Sequence, residues 1–242
     1  MTDTWINGRM LALDFETTGT DPETARIVAA AVALVGGGEE PVTGTWLVDP
    51  TVDIPDEAAA IHGITTDRAR AEGVAPHGAL TDVVNHLTEH LSRGLAAVVF
   101  NARYDLTVLE RECARHDVDT PAARIGGELA PVIDPFVIDK QMDRYRRGKR
   151  TLPAMCAHYR VRHDGPHQAA NDALAAARLA WRLPRVFPEL ATTELPTLHM
   201  EQTEWAAEQA AGLQEYKRRT DPSANVDGHW PLIPNQRTGG EA

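Results

Sequence analysis

Cysteine is scarce in this sequence, and its scarcity limits where the protein is expected to work. Two cysteines among 242 residues, Cys113 and Cys156, form no disulfide framework, which is typical of a reducing compartment. Long apolar runs are also missing: none approaches the roughly 20 residues of a membrane span, and the polar first residues do not resemble a signal peptide. We therefore expect a cytoplasmic protein with no membrane association.

Positive charge is in short supply as well. Lysine and arginine number 24 against 35 aspartates and glutamates, so the formal net charge is -11. This balance argues against broad electrostatic attraction to nucleic acid, although it leaves room for an enzyme that holds cations in its site and keeps its basic residues local. A hydrophobic content of 43% and a charged content of 24% are ordinary for a globular chain. The length suffices for one large domain, or for one domain plus an extension.

The pattern of apolar residues predicts an α/β domain. Apolar runs bounded by turn residues predict strands near 10–16, 26–35, 44–48 and 96–100, with a hairpin turn at residues 36–38 between the second and the third. Helical spacing predicts helices near 55–63, 77–91, 106–113, 135–145, 151–159 and 170–183. Because strands precede helices after an early hairpin, we predict a mixed β-sheet flanked by helices.

The C-terminal part of the chain has a different composition. The prolines between 186 and 196 predict a linker, so we place a domain over residues 1–188 and an extension over 189–242. A helix over 197–219 is predicted by an apolar stripe, interrupted at Gln209 and made of Leu198, Trp205, Leu213 and Tyr216. Such a stripe should be buried, either on the preceding domain, with Trp230 fixing the end, or on a partner.

The segment Met10–Gly19 is the most informative one for chemistry. It has the pattern of a short apolar strand that ends in two carboxylates and then turns. Because side chains alternate between faces, Asp14 and Glu16 lie on one face with Ala12, roughly 7 Å apart along the strand. Adjacent carboxylates repel each other unless a positive group lies between them, and Mg²⁺ or Mn²⁺ suits oxygen ligands of this kind. The alternative is a strand end whose acids only face water.

Two further acids occur where helices are expected to start. Asp105 follows the strand that ends at Phe100, and there it is either an N-cap or a ligand at the edge of the sheet. His167 and Asp172 would be about 140° apart on one helix. They converge only if His167 lies in the turn before the helix and Asp172 in its first turn, which Gly165-Pro166 favours. A histidine at such a position is otherwise an ordinary surface or core residue.

Taken in order, three segments resemble the exonuclease motifs of the DEDD superfamily. They are Asp-x-Glu at a strand end, Asn-x₃-Asp at a strand–helix junction and His-x₄-Asp at a helix start. The particular resemblance is to the histidine branch (DEDDh), the DnaQ-like 3'–5' exonucleases that include the proofreading epsilon subunit of DNA polymerase III. The tyrosine branch carries Tyr four residues before the last Asp, where this sequence has Gln168. Ile61–Thr65 and Gly148–Arg150 also look like that family, and the resemblance covers residues 9–185.

The resemblance implies a ribonuclease H-like fold with a C-terminal helical extension, and a catalytic centre with two divalent ions, Mg²⁺ or Mn²⁺. By similarity, Asp14 would bridge both ions, Glu16 and Asp172 would complete one, and Asp105 would hold the second. His167 would act as the general base on the attacking water, since a neutral imidazole accepts a proton near pH 7. The product would be a nucleoside 5'-monophosphate released from the 3' end.

Several nearby residues are candidates for contact with the terminal nucleotide, although each is equally explained as a cap or core residue: Thr17, Thr18, Gly19, His62, Asn101 and Tyr104. Residues 144–150 contain five positive charges. They form either a solvated turn or a guide for the phosphate backbone. We interpret Asp134 and Asp139 as structural residues, Asp134 as a helix cap.

The activity predicted by the resemblance is 3'–5' exonucleolytic hydrolysis, most simply of single-stranded DNA in proofreading or DNA repair. One alternative is an RNA 3'-exonuclease, as in oligoribonuclease or ribonuclease T relatives. Another is a module that tethers DNA or a polymerase without hydrolysis, against which the presence of all five expected catalytic residues counts. Because the proofreading member of the family joins its polymerase through a C-terminal segment, the C-terminal helix predicts a DNA polymerase or a second copy as partner.

Overall fold

A five-stranded mixed sheet forms the centre of the computed structural model, which describes residues 5–235. The strands are β1 Arg9–Thr17, β2 Ile27–Gly36, β3 Val42–Leu47, β4 Ala96–Val99 and β5 Val132–Ile133. The strand order is β3-β2-β1-β4-β5; β2 is antiparallel to both its neighbours, whereas β1, β4 and β5 run parallel. The predictions of a mixed sheet and of an early hairpin, which joins β2 and β3, are confirmed.

Helices cover both faces of this sheet. The helices are α1 Asp56–His62, α2 Thr66–Glu72, α3 Pro76–Ser92, α4 Ala102–Arg115, α5 Pro121–Ile125, α6 Pro135–Met142, α7 Leu152–Tyr159, α8 Ala169–Val186, α9 Pro188–Thr192 and α10 Leu195–Arg218. Helices α3 and α4 pack with the odd-numbered side chains of β1, while α7, α8 and α10 pack with the even-numbered ones. No helix within 5–235 is both long enough and apolar enough to cross a membrane.

The alternation of β1 determines which helices its acids can meet. Leu11, Leu13 and Phe15 are buried against the α3/α4 layer, and Met10 and Ala12 are buried against the α7/α8 layer. Because both faces are covered, the strand is apolar almost throughout, as strands buried on both sides are. The even-numbered residues of β1 therefore face α8.

Three elements differ from the sequence-based expectations. The turn after α1 leads directly into α2, which Thr65 caps by accepting a hydrogen bond from the main-chain N of Arg68. The expected linker instead contains α9, whose Leu190 is buried in the core. Helix α4 begins at Ala102, so Asp105 lies in its first turn and is not the N-cap.

The C-terminal segment packs along β5. His199 Nδ1 accepts a hydrogen bond from Val132 N (3.1 Å), and Gln202 Nε2 donates one to Val132 O (3.0 Å). Gln202 Oε1 also accepts from Asp134 N (2.7 Å). Trp230 is buried beside these residues. The first part of α10 thus belongs to the same core as the sheet, while the division into 1–188 and 189–242 stays a prediction.

The apolar stripe of α10 is buried only in its first half. Leu198 is fully buried and Trp205 partly so, whereas Leu213 is 42% exposed and Tyr216 is 66% exposed. Gln209, which interrupts the stripe, donates a hydrogen bond to the carbonyl of Val137 (3.1 Å).

Candidate active site

Three carboxylates converge beside the end of β1. Asp14 and Glu16 come from the even-numbered face of β1, and Asp172 comes from the first turn of α8, which packs on that face. One oxygen of each residue lies within 4.8 Å of an oxygen of the other two. The register of one strand and the start of one helix are sufficient to build this cluster.

A fourth carboxylate approaches from the opposite helical layer. Asp105 is buried in the first turn of α4, and its Oδ1 accepts a hydrogen bond from the main-chain N of Phe15 (3.3 Å). Asp105 is not one of the three residues with the closest oxygens, but its charge raises the pKa of Asp14. The four acids predicted from the sequence therefore act on one another electrostatically.

Burial and the charges of neighbouring carboxylates keep Asp14 and Glu16 from ionising easily. Burial, followed by the charges of Asp105, Asp172 and Glu16, raises the pKa of Asp14 well above its usual range. Burial, followed by the charge of Asp172, raises the pKa of Glu16 to about 7. Like charges held this closely are unfavourable unless a cation lies among them.

The cluster suits a divalent cation. Glu16 Oε1 is buried without a hydrogen-bond partner, which leaves a strong acceptor unused. The atoms available to bind an ion are all carboxylate oxygens, the ligand type that Mg²⁺ and Mn²⁺ prefer. Asp14, Glu16 and Asp172 therefore fit a hard divalent ion.

The loop before α8 brings two histidines to Asp172. His167 lies in the turn, two residues before the helix, and its main-chain N donates a hydrogen bond to Asp172 Oδ2 (3.1 Å). This backbone placement is the one that the sequence predicts. The imidazole of His167 is exposed, however, and the imidazole that contacts the carboxylate is that of His163, with Nε2 at 2.5 Å from Asp172 Oδ1.

His163 was missed by the sequence analysis. Its side chain is nearly buried and its ring donates to Asp172, so it helps to hold this carboxylate in place. The sequence offers only a weak signal for it, a second histidine four residues before His167 in the same loop. Because hydrogen-bond partners of metal ligands orient those ligands, such a residue belongs to the site even if it never touches substrate.

Hydroxyl groups fix the turn that follows β1. Thr17 Oγ1 and Tyr104 Oη lie 2.6 Å apart, and both contact the carbonyl of Gly19. Thr18 Oγ1 accepts a hydrogen bond from Arg26 N (2.9 Å). The predicted contact residues of this turn and Tyr104 therefore form one connected wall next to the carboxylates.

His62 lies on the same side of the site. Its Nδ1 accepts a hydrogen bond from Ile64 N (3.1 Å), and its Nε2 is buried near the Thr17 carbonyl without completing a hydrogen bond. Burial lowers the pKa of His62; the Thr17 carbonyl opposes that shift, and the charge of His167 adds to it. His62, Thr17 and His167 are thus neighbours at the mouth of the site.

Asn101 is held at the other side by Asp134. The backbone of Asn101 is left-handed (φ 58°), and its N donates to Asp134 Oδ1 (2.9 Å). Asp134 caps α6 by accepting from Phe136 N, as predicted, and also accepts from Ala102 N and Trp230 Nε1. This buried carboxylate therefore fixes the start of α4, and with it Asp105.

The sheet order, the carboxylates at the end of the central strand and the helices on both faces define a ribonuclease H-like nuclease fold. Residues 11–180 match the model of the RNase_T family, described as "Exonuclease", and the chain belongs to this family. A comparison with curated proteins finds no match.

Solved structures of exonuclease I share the fold. The zinc-bound complex of E. coli exonuclease I with single-stranded DNA is 19% identical, with a TM-score of 0.64, over 76% of this chain and 42% of that chain. Exonuclease I from Methylocaldum szegediense is 21% identical, with a TM-score of 0.62, over 75% of this chain and 41% of that chain. This chain therefore matches less than half the length of those proteins, and at these identities the likeness establishes the fold.

Proposed function

We propose that the protein is a metal-dependent 3'–5' exonuclease that releases nucleoside 5'-monophosphates from single-stranded DNA. The observation that carries this proposal is the cluster of Asp14, Glu16 and Asp172 with its unpartnered Glu16 oxygen, in a chain of the exonuclease family. The same cluster argues against a purely tethering module, because binding alone does not require carboxylates gathered at such electrostatic cost.

We assign the carboxylates to two divalent ions, Mg²⁺ or Mn²⁺. Asp14 would contact both, Glu16 and Asp172 would complete the shell of one, and Asp105 would hold the other through water. Two such ions activate the attacking water and stabilise the charge on the leaving oxygen. Asp105 has a second task, because its hydrogen bond to Phe15 N keeps the end of β1 in place.

His167 is our candidate for the general base. Its main chain is anchored to Asp172, while its ring is free to turn toward a water molecule beside the carboxylates. A neutral imidazole in that place accepts the proton that the attacking water loses. His163 would act as a positioning residue through Asp172.

The terminal nucleotide would contact the wall formed by Thr17, Thr18, Gly19 and Tyr104, with His62 and Asn101 on either side. E. coli exonuclease I has been crystallised with dA16 and dT13 oligonucleotides, which favours DNA as substrate here by analogy of fold. RNA is the alternative, and the choice depends on whether the pocket accepts a 2'-hydroxyl.

A panel of 5'-labelled single strands tests the proposal. DNA and RNA of one sequence are incubated with Mg²⁺, Mn²⁺ or EDTA, and the products are resolved by length. We expect stepwise shortening of DNA from the 3' end with either metal and none in EDTA. Asp14→Asn should lower the rate by several orders of magnitude, whereas Asp53→Asn, at an exposed ion pair with Arg70, should not. Cleavage in excess EDTA, or by Asp14→Asn, would overturn the two-ion reading.

We further propose a cytoplasmic location and a role in proofreading or repair. Cys113 and Cys156 are both buried and unpaired, which suits a reducing compartment. A DNA polymerase or a second copy of the chain is the partner we would seek on α10, where Leu213 is exposed.

A further inference from the structure

The loop between α6 and α7 presents an exposed, positively charged surface. Arg144, Tyr145, Arg147 and Lys149 are all exposed, Tyr145 to 89%. The guanidinium of Arg144 lies 6.0 Å from the centre of the Tyr145 ring. We call these four residues the 144–149 surface.

Two other arginines of the same loop serve a different purpose. Asp139 is fully buried in α6, and its carboxylate binds Arg146 (3.1 and 3.2 Å) and Arg150. Tyr159 donates a further hydrogen bond to Asp139 Oδ1 (2.6 Å). A buried ion pair is costly to desolvate and contributes mainly by fixing one geometry. These bonds fix the loop to α6, while the four side chains of the 144–149 surface remain exposed to solvent.

The cations of this surface lack acidic partners. Within residues 5–235, no carboxylate lies within ion-pair distance of the side chains of Arg144, Arg147 or Lys149. Several exposed arginines elsewhere do have acidic partners, for example Arg70 with Asp53 and Arg93 with Glu89. In a chain of net charge -11, this loop is a local concentration of unneutralised positive charge.

The loop joins two helices, α6 and α7, that both pack against α8, the helix that carries Asp172. Helix α6 begins directly after Asp134, whose charge adds to the effect of burial in raising the pKa of Asp105. Eight residues of α-helix span about 12 Å, so the loop starts about 12 Å from Asp134. Helix α7, which follows the loop, carries Cys156, and Asp172 contributes to raising the pKa of that thiol.

We propose that the 144–149 surface binds the single-stranded nucleic acid on the 5' side of the nucleotide being removed. Arg144, Arg147 and Lys149 would contact phosphates, and Tyr145 would stack on a base, the combination that single strands require. An acidic protein repels a polyanion, so its substrate must be held by local cations. This inference rests on the proposed function and adds the substrate contact beyond the terminal nucleotide.

The test compares two triple variants that lose the same residue types. One is Arg144→Ala/Tyr145→Ala/Lys149→Ala. The matched control is Tyr216→Ala/Lys217→Ala/Arg219→Ala, at the exposed end of α10, where Arg219 likewise lies 5.9 Å from the ring of Tyr216. Each variant removes one tyrosine and two positive charges. The substrates are a 20-nucleotide oligothymidylate and the p-nitrophenyl ester of thymidine 5'-monophosphate, which has no strand beyond the terminal nucleotide.

We expect the first variant to raise KM for the oligonucleotide by at least about 10-fold and to leave kcat and the hydrolysis of the ester unchanged. The control should match the unmodified protein on both substrates. An unchanged KM overturns the proposal, as does an equal rise in the control or an equal loss on the ester.

A binding measurement separates this inference from the proposed function. Fluorescence anisotropy of the labelled oligonucleotide is recorded in an Asp14→Asn background, so that no cleavage is needed, at several salt concentrations. Adding Arg144→Ala/Tyr145→Ala/Lys149→Ala to this background removes two proposed phosphate contacts. It should therefore reduce the slope of log affinity against log salt by about 1.4. If the unmodified protein cleaves no strand but the slope falls in the variant, the proposed function is wrong and the binding surface is supported. If the unmodified protein cleaves the strand but the slope is unchanged in the variant, the proposed function is supported and the binding surface is wrong.

Discussion

Replacing Glu16 by glutamine should stabilise the metal-free protein while weakening its response to metal. Glutamine has nearly the same shape as glutamate but never ionises. The substitution therefore removes one negative charge from the cluster of Asp14, Glu16 and Asp172 without opening a cavity. For the same reason it removes one ligand for a cation.

The size and the pH range of the effect follow from the pKa of Glu16, which burial and the charge of Asp172 raise from 4.5 to about 7. That shift corresponds to at most about 3 kcal/mol. The folded state holds its proton more tightly than the unfolded state, so stability falls as the pH rises from 4.5 to 7. The Glu16→Gln variant should show the full increase in its free energy of unfolding at pH 8 and little increase at pH 4.5.

Urea unfolding in EDTA at these two pH values measures the first effect, and melting temperature against Mg²⁺ or Mn²⁺ concentration measures the second. A bound ion stabilises the folded protein by mass action, so the loss of a ligand should reduce the shift in melting temperature. Glu23→Gln is the control. The Glu23 carboxylate is 2.8 Å from Arg111 and its pKa is lowered, so this variant should not gain stability and should respond normally to metal.

Two results would refute the reasoning. If Glu16→Gln is no more stable than the unmodified protein in EDTA at pH 8, the carboxylates do not repel one another in the folded state. If its melting temperature rises with Mg²⁺ as much as that of the unmodified protein, Glu16 is not a ligand.

Other variants probe the surroundings of the site. His167→Ala should slow cleavage by roughly 10²–10⁴-fold but keep the metal-induced rise in melting temperature, because only its main chain contacts Asp172; a normal single-turnover rate would place the base elsewhere. His163→Ala should raise the Mg²⁺ concentration needed for half-maximal activity by about 10- to 100-fold, and His163→Gln should restore most of it; an unchanged Mg²⁺ titration would contradict its role on Asp172. Trp230→Ala should lower the free energy of unfolding by about 3–5 kcal/mol, far more than Tyr216→Ala in the same urea assay; equal losses would contradict the burial of Trp230.

The parts of the fold that the sequence predicts are those set by local patterns. The alternation of β1 places Asp14 and Glu16 on the face that α8 covers, and Gly165-Pro166 ends the loop before α8, so His167 precedes the helix. Both facts depend on neighbouring residues only. The convergence of Asp172 with Asp14 and Glu16 was implied by the resemblance of the three motifs to the DEDD superfamily and not by these local patterns.

The features that were missed depend on contacts between distant parts of the chain. The basic loop could not be divided by sequence into anchored and free arginines, because the division depends on the burial of Asp139. Asp105 was weighed as a helix cap, but the hydrogen bonds from Asn101 and Ala102 to Asp134 start α4 four residues earlier. The partner of α10 likewise depends on hydrogen bonds such as that from Gln202 to Val132, 70 residues apart.

The hydrogen bonds of α10 to β5 bear on how the chain behaves while it is being made. β5 is an edge strand, and the outward N–H and C=O of Val132 would attract a strand from another molecule if they were left open. His199 accepts a hydrogen bond from this N–H and Gln202 donates one to this C=O. Two side chains therefore make the hydrogen bonds that a sixth strand would otherwise make. During synthesis, β5 leaves the ribosome about 70 residues before Gln202 does. Until α10 emerges, the N–H and C=O of Val132 in the unfinished chain are open to pairing with a strand of another molecule. Translation pauses in that interval should therefore favour aggregation.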